Sequence, residues 1–308
     1  MKPDNKVVRA KNKKHCRLKG GVKEKKMEKW IITAETTCDI PAAYLEKYGI
    51  KLIPITVIVD GKEYKDGVDI DPERLFEYVK QSGELPKTAA LSVTEYEEFF
   101  AEVKKNADRI MHFSISSKAS STYYNAVKAA EEFEGISVID SKSLTTGEAA
   151  LMFRAYEMLT AGEDFDEVYN KMIALTEKVQ TSFVLDTLDN LYKGGRCSSM
   201  ALLGSKILKI HPSICEKDGQ LVVKKKYMGN LSRSIAQYIA DLAQEYPSYD
   251  KRRCFITHSP FEDRSLVDMA IAKVKELFDF EEVIETEAGA TVSTHCGKNT
   301  VGLLFIAE

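Results

Sequence analysis

Short apolar runs alternate with amphipathic helical patterns through the first half of this chain, and that alternation constrains the fold more than any other feature. Trp30–Glu35 (WIITAE), residues 50–59 (IKLIPITVIV), 107–115 (ADRIMHFSI) and 136–141 (ISVIDS) read as strands. Helical patterns start near Asp71, Ser92, Ser120 and Thr145. Asp71 precedes Pro72 and Glu73 as an N-cap with proline at the first helical position, and Ser92 precedes Glu95 at capping-box spacing. Strands joined through helices call for right-handed crossovers and a largely parallel sheet covered on both faces, with ligands beyond the carboxyl ends of the strands.

The second half reads differently. A helix is expected near MALLGSKILKI (200–210), and Asp218-Gly219 between two strand-like runs signals a hairpin. A helix (231–247), a strand (253–259) and a helix (262–278) follow, then two strands (281–287 and 300–308) separated by a Gly-rich turn. The expected fold class is α/β with two domains. A parallel-sheet α/β/α domain (29–170) follows a basic arm (1–28) and precedes an α/β domain with a mixed sheet (171–308). The boundary falls between residues 164 and 178.

At 308 residues and 44% hydrophobic content, the chain suffices for two domains with sizeable cores. Its net charge of −3 gives no general case for nucleic acid or an anionic membrane. That total is uneven. Eleven Lys or Arg against Asp4 and Glu24 give residues 1–26 a net +9, leaving −12 for the rest. Such an arm buries too little apolar surface to order itself. It reads as a disordered extension or a product of start-site choice, Met27 standing just before the first strand. No secretory signal is read, and the longest apolar stretch, 50–59, is too short to span a bilayer. The six cysteines are scattered without a CxxC pair, so neither a zinc site nor a disulfide framework follows, and a reduced, cytoplasmic setting is expected.

Residues 114–122 (SISSKASST) hold six hydroxyl side chains where a strand hands over to a helix. Helix capping needs one or two; the same N–H groups and helix dipole also favour a phosphate or carboxylate. The chemistry that is absent narrows the choice. There is no P-loop, since Gly297-Lys298-Asn299-Thr300 lacks the upstream glycine and places Asn299 after the lysine. Neither GxGxxG after a strand, GxSxG nor HExxH occurs. A triad built on Ser120 and His295, hence a hydrolase or acyltransferase, stays open at this level. So does a module for a non-lipid anion. Two further polar stretches stand out: Thr88, in a loop before a helix, and residues 287–302, where His295 follows several hydroxyls among glycines.

ITAETTCDIP followed by YGIKLIPITVIVDGKEYKDGVDI resembles the opening of the DegV family of fatty-acid-binding proteins. ELPKTAALS, SISSKASSTYYNA, VIDSKSLTTGEAA, LYKGGRCSS, ILKIHPSI and THCGKNTVG resemble its later motifs in order, from about Trp30 to the C-terminus. The resemblance implies two α/β domains holding one long-chain fatty acid between them, with no metal or cofactor. It also implies a non-enzymatic carrier that presents the carboxylate to a fatty acid kinase, whose acyl phosphate feeds phospholipid synthesis. The carboxylate contacts map onto Thr88, Ser120 and His295, with Ser121, Ser92 and Thr294 as additional candidates. The family's usual Asp-Ser is replaced by Glu35-Thr36, Thr-Ser-Gln-Pro-Ser by residues 88–92, the glycine after Ser120 by Ser121, and Gly-Pro-Gly by residues 297–299. Lys193 and Arg196, with Lys224, Lys225 and Lys226 in the hairpin, form a basic exception on an acidic body and are the expected docking surface for an acidic partner.

Overall fold

The computed structural model describes residues 28–197 and 210–308. The basic arm lies outside these residues except for Glu28, as does the helix expected at 200–210 except for Ile210, which opens a strand. The N-terminal half runs β1 (Trp30–Glu35), α1 (Ala42–Tyr48), β2 (Lys51–Ile53), β3 (Thr56–Val59), β4 (Lys62–Lys65), α2 (Pro72–Ser82) and β5 (Lys87–Ala89). It continues with α3 (Val93–Lys104), β6 (Arg109–Ser114), α4 (Thr122–Ala130), β7 (Ile136–Asp140) and α5 (Thr146–Thr160). Then come α6 (Phe165–Leu175), β8 (Val179–Val184), α7 (Asp189–Lys193), β9 (Ile210–Lys217), β10 (Gln220–Met228) and α8 (Leu231–Glu245). The chain finishes with β11 (Arg253–His258), α9 (Ser265–Leu277), β12 (Glu282–Glu287), α10 (Ala290–Cys296) and β13 (Val301–Ile306).

The described residues form three sheets. β2-β1-β6-β7 is parallel throughout, as the strand–helix alternation requires. β4-β3-β5 is a small antiparallel sheet, and β10-β9-β8-β13-β11-β12 is mixed, with only β11 and β12 parallel. The single strand expected over 50–59 is two strands in different sheets. Pro54 cannot donate to a ladder, and the chain turns there from the parallel to the antiparallel sheet.

The local signals behave as their chemistry demands. The Asp71 carboxylate accepts from the Arg74 N–H, and Ser92 with Glu95 forms a complete capping box. Asp218 and Gly219 both adopt positive φ between β9 and β10, as a tight hairpin needs. Two helices add to the expectations. α6 packs on α5 and β7 and spans residue 170 within the expected boundary range of 164–178. The Gly-rich turn before the last strand contains α10.

α5 joins the halves. It is fully buried from Thr146 to Phe153, while farther along Arg154 and Glu157 pair at 3.0 Å on a partly exposed flank. Its Leu151, Met152 and Phe153 pack in one core with Ile32, Met111 and Phe113 of the parallel sheet and with Phe255 and Leu304 of the mixed sheet. At the carboxyl end of β1, the buried Glu35 accepts from the Tyr96 hydroxyl and, at 3.0 Å, from the Ile115 N–H, and it bonds the His112 ring at 2.9 Å. Burial opposes the charge of Glu35, but His112 and the other donors outweigh it and hold the carboxyl below its ordinary range. Glu35 therefore anchors the start of the hydroxyl-rich segment.

Candidate functional site

The seam between the halves contains a cavity of about 60 Å³ at the carboxyl ends of β1 and β6. Its wall combines aliphatic side chains from both halves, including Ile55, Ile115, Leu144, Leu191, Leu221 and Val292, with a polar set. That set is Thr37, Thr88, Ser120, Thr122, Arg196, Thr291 and His295.

Thr88 and His295 are in direct contact: Thr88 Oγ1 and His295 Nε2 share a hydrogen bond of 2.9 Å. Thr88 is on β5, opposite Val57 of β3, and not in a loop. His295 is one residue from the end of α10. Its Nδ1 has no partner and faces Gly194, where an added Cβ would stand 2.5 Å away. Burial, reinforced by the positive charge of Arg196, lowers the imidazole pKa to about 4, so the ring is neutral at pH 7. Arg196 is half-buried and donates to the Gly194 carbonyl at 2.7 Å.

Ser120 lines the same cavity two residues before α4. Its Oγ bonds Thr122 Oγ1 at 2.7 Å and accepts from the Thr122 N–H at 3.2 Å. Capping and cavity lining are thus properties of one hydroxyl. Of the other hydroxyls of the segment, Thr122 also lines the cavity, and Ser116 donates across the seam to the Gly219 carbonyl at 2.7 Å. The additional candidates lie elsewhere. Ser121 is exposed, Ser92 caps α3, and the buried Thr294 donates to the Ala290 carbonyl within α10.

Thr37 and Thr291 were not singled out as ligand contacts from the sequence. Both are buried on the cavity wall; the Thr291 hydroxyl lacks a partner, whereas the Thr37 hydroxyl faces the fully buried Glu148 carboxyl and favours its charged form. Burial, then the nearby Glu35 and Asp39, pushes that carboxyl well above its ordinary range. The docking residues are split. Lys193 is exposed, Arg196 faces the cavity, Lys225 pairs with Asp241 at 2.6 Å, and Lys224 pairs with Glu245. Among the described residues no cluster of His, Cys, Asp and Glu is arranged to hold a metal ion, and no helix is long and apolar enough to cross a membrane.

The family model described as uncharacterised DegV family proteins matches residues 29–308. The chain belongs to the DegV family. A DegV domain-containing protein of Caldanaerobacter subterraneus is 30% identical over 281 residues, covering 91% of this chain and 99% of that one. One from Clostridium acetobutylicum is 30% identical over 284 residues, 92% of this chain and 100% of that one. Among solved structures, a fatty-acid-binding DegV protein from Thermus thermophilus superposes with a TM-score of 0.82 at 24% identity, over 91% of this chain and 100% of that one. A DegV lipid-binding protein from Thermotoga maritima gives 0.80 at 25%, over 91% and 98%. A DegV protein from Eubacterium eligens loaded with heptadecanoic acid gives 0.79 at 23%, over 91% and 100%. The two-domain α/β architecture of this DegV chain is therefore that of the family.

Proposed function

We propose that this DegV protein binds one long-chain fatty acid at the seam, its carboxylate among Thr88, Ser120 and His295 and its alkyl chain along the aliphatic wall. The observation that carries the reading is the meeting, in one interdomain cavity, of a Thr88–His295 contact and the unpartnered Thr291 hydroxyl with an aliphatic wall. The fatty acid in the Eubacterium eligens neighbour and the fatty-acid binding of the Thermus thermophilus one support the ligand class. A carboxylate accepts several donors, which the hydroxyls and an imidazole N–H supply, and the half-buried Arg196 on the same wall adds a positive charge.

The cavity is smaller than the ~300–1,000 Å³ of pre-formed small-molecule pockets, so an acyl chain enters by parting the aliphatic wall. Burying roughly fourteen methylenes at ~0.8 kcal/mol each gives about 11 kcal/mol before ordering costs. A charge-assisted hydrogen bond gives about 1.5–3 kcal/mol. The chain sets affinity; the polar set decides which end stays at the mouth.

The protein then acts as a carrier, offering the carboxylate to a fatty acid kinase that forms the acyl phosphate. Two features support a carrier over a hydrolase. His295 Nδ1 meets no orienting carboxylate, and the Ser120 hydroxyl is bonded to Thr122 and not to His295. Docking is assigned to the face around Lys193 and Arg196; Lys225 contributes only after its pair with Asp241 opens. Native mass spectrometry of the purified protein tests the ligand: an added mass equal to a long-chain fatty acid is expected. Acyl phosphate should form only with the kinase and ATP. Turnover of an acyl ester without either would contradict the carrier reading.

A further inference from the structure

Two aspartates in the family-like motifs, Asp39 and Asp66, have no place on the cavity wall. Both are buried, and both reach from the N-terminal half to the start of α10. Asp66 Oδ1 accepts from the Ala290 N–H at 2.8 Å and its Oδ2 from the Thr291 N–H at 3.1 Å. Asp39 Oδ1 accepts from the Gly289 N–H at 2.8 Å. Three consecutive N–H groups that the helix cannot satisfy internally are thus taken up by carboxylates from the other half. The carboxylates are themselves held: Thr36 Oγ1 donates to Asp66 at 3.3 Å and Thr145 Oγ1 to Asp39 at 2.5 Å. The Thr286 hydroxyl, on the preceding strand, donates to the Asp39 carbonyl at 2.5 Å.

α10 has only seven residues, with Thr291 in its first turn and His295 in its last. A rotation or slide of the first turn therefore carries directly to both. The far end is steadied by Asn190 Nδ2, which donates to the Thr294 carbonyl at 3.2 Å. Gly289 leaves room for the clamp, because an added Cβ would stand 3.1 Å from both Asp66 oxygens and 3.2 Å from Asp39 Oδ1.

We propose that Asp39 and Asp66 are positioning residues for head-group recognition. By fixing the depth and rotation of α10 they set His295 Nε2 on Thr88 and turn the Thr291 hydroxyl into the cavity, without touching ligand. The proposal rests on the reading that this cavity takes a fatty-acid carboxylate. It assigns a role to motif residues that the cavity lining leaves unexplained.

The test uses two variants of the full chain. Asp66→Asn removes one acceptor of the bidentate pair, and Gly289→Ala keeps every acceptor but forces the clamp apart. Affinities are measured for a long-chain fatty acid and for the fatty alcohol of equal length, which shares the aliphatic wall but brings no carboxylate. Both variants should bind the acid about tenfold more weakly while alcohol affinity stays near wild type. The His295 ring resonances of the ligand-free variants should also move from their wild-type positions. A parallel loss for acid and alcohol, or unmoved His295 resonances, would overturn the proposal. So would an acid preference retained in both variants, which leaves the carboxylate reading intact. A wild type that does not distinguish acid from alcohol would overturn the carboxylate reading and the proposal with it.

Discussion

Thr88 Oγ1 and His295 Nε2 meet at 2.9 Å across 207 positions of sequence, one on a strand of the N-terminal half and the other on a short helix of the C-terminal half. The contact is backed by Gly194, which lies against the opposite ring nitrogen. A Gly194→Ala methyl would overlap Nδ1 and push the ring off Thr88 without deleting a donor. Fatty-acid affinity should fall by about 1–3 kcal/mol by isothermal titration. Wild-type affinity in this variant would mean that ring placement is immaterial to binding.

The pH dependence has a definite sign. The His295 pKa is about 4 in the fold against an ordinary 6.5. The neutral ring's contribution to stability is therefore complete above pH 6.5 and is lost as pH falls towards 4. Thermal melting of ligand-free His295→Gln should lose less stability over that window than wild type does. Identical acid-side profiles would place the ring in a more solvated setting. A bound carboxylate raises this pKa, so fatty-acid affinity should weaken as pH rises through the raised value.

Glu148 carries the opposite sign. Its folded pKa is raised, so the fold holds a proton that the unfolded chain releases above its ordinary 4.5. The acid therefore costs stability increasingly as pH rises above that value. Glu148→Gln should be more stable than wild type at pH 7 and lose that advantage below pH 4.5, as read by denaturant unfolding at both pH values. Destabilisation at pH 7 would show instead that the carboxylate is ionised and needed.

The parallel sheet and the helix caps were legible in the sequence because their signals are local. Asp71, Ser92 and Asp218-Gly219 act on residues two or three positions away. α10 was not legible. Its ATVSTHC sequence is rich in β-branched residues and carries no cap of its own, because its caps are Asp39 and Asp66, more than two hundred positions upstream. Thr291 was legible only as one hydroxyl of a polar stretch, and Thr37 not at all, for a related reason: which hydroxyl faces a cavity is a property of its surroundings and leaves no mark on its neighbours in sequence. Thr88 and His295 stood out as polar residues in the sequence, the family resemblance gave them a carboxylate to bind, and only the folded chain makes them a pair.

The Glu35 carboxylate meets Tyr96, His112 and the Ile115 N–H at once, a reach that a side chain one methylene shorter would lose. Glu35→Asp should cost about 3 kcal/mol in global stability by leaving buried donors underpaired. It should also loosen the backbone at Ile115, seen as faster amide exchange there. Unchanged stability and protection would show that water or a rearranged network takes up the donors.

The most direct test of the head-group assignment is a double-mutant cycle on fatty-acid affinity with Ser120→Ala and His295→Ala. In the structure Ser120 bonds Thr122 and His295 bonds Thr88, so no hydrogen bond joins the two mutated side chains. A shared carboxylate is then what couples them. Each single change should cost about 1–3 kcal/mol, and the double change should cost less than the sum. Strict additivity, or wild-type affinity in either single variant, would place the carboxylate elsewhere.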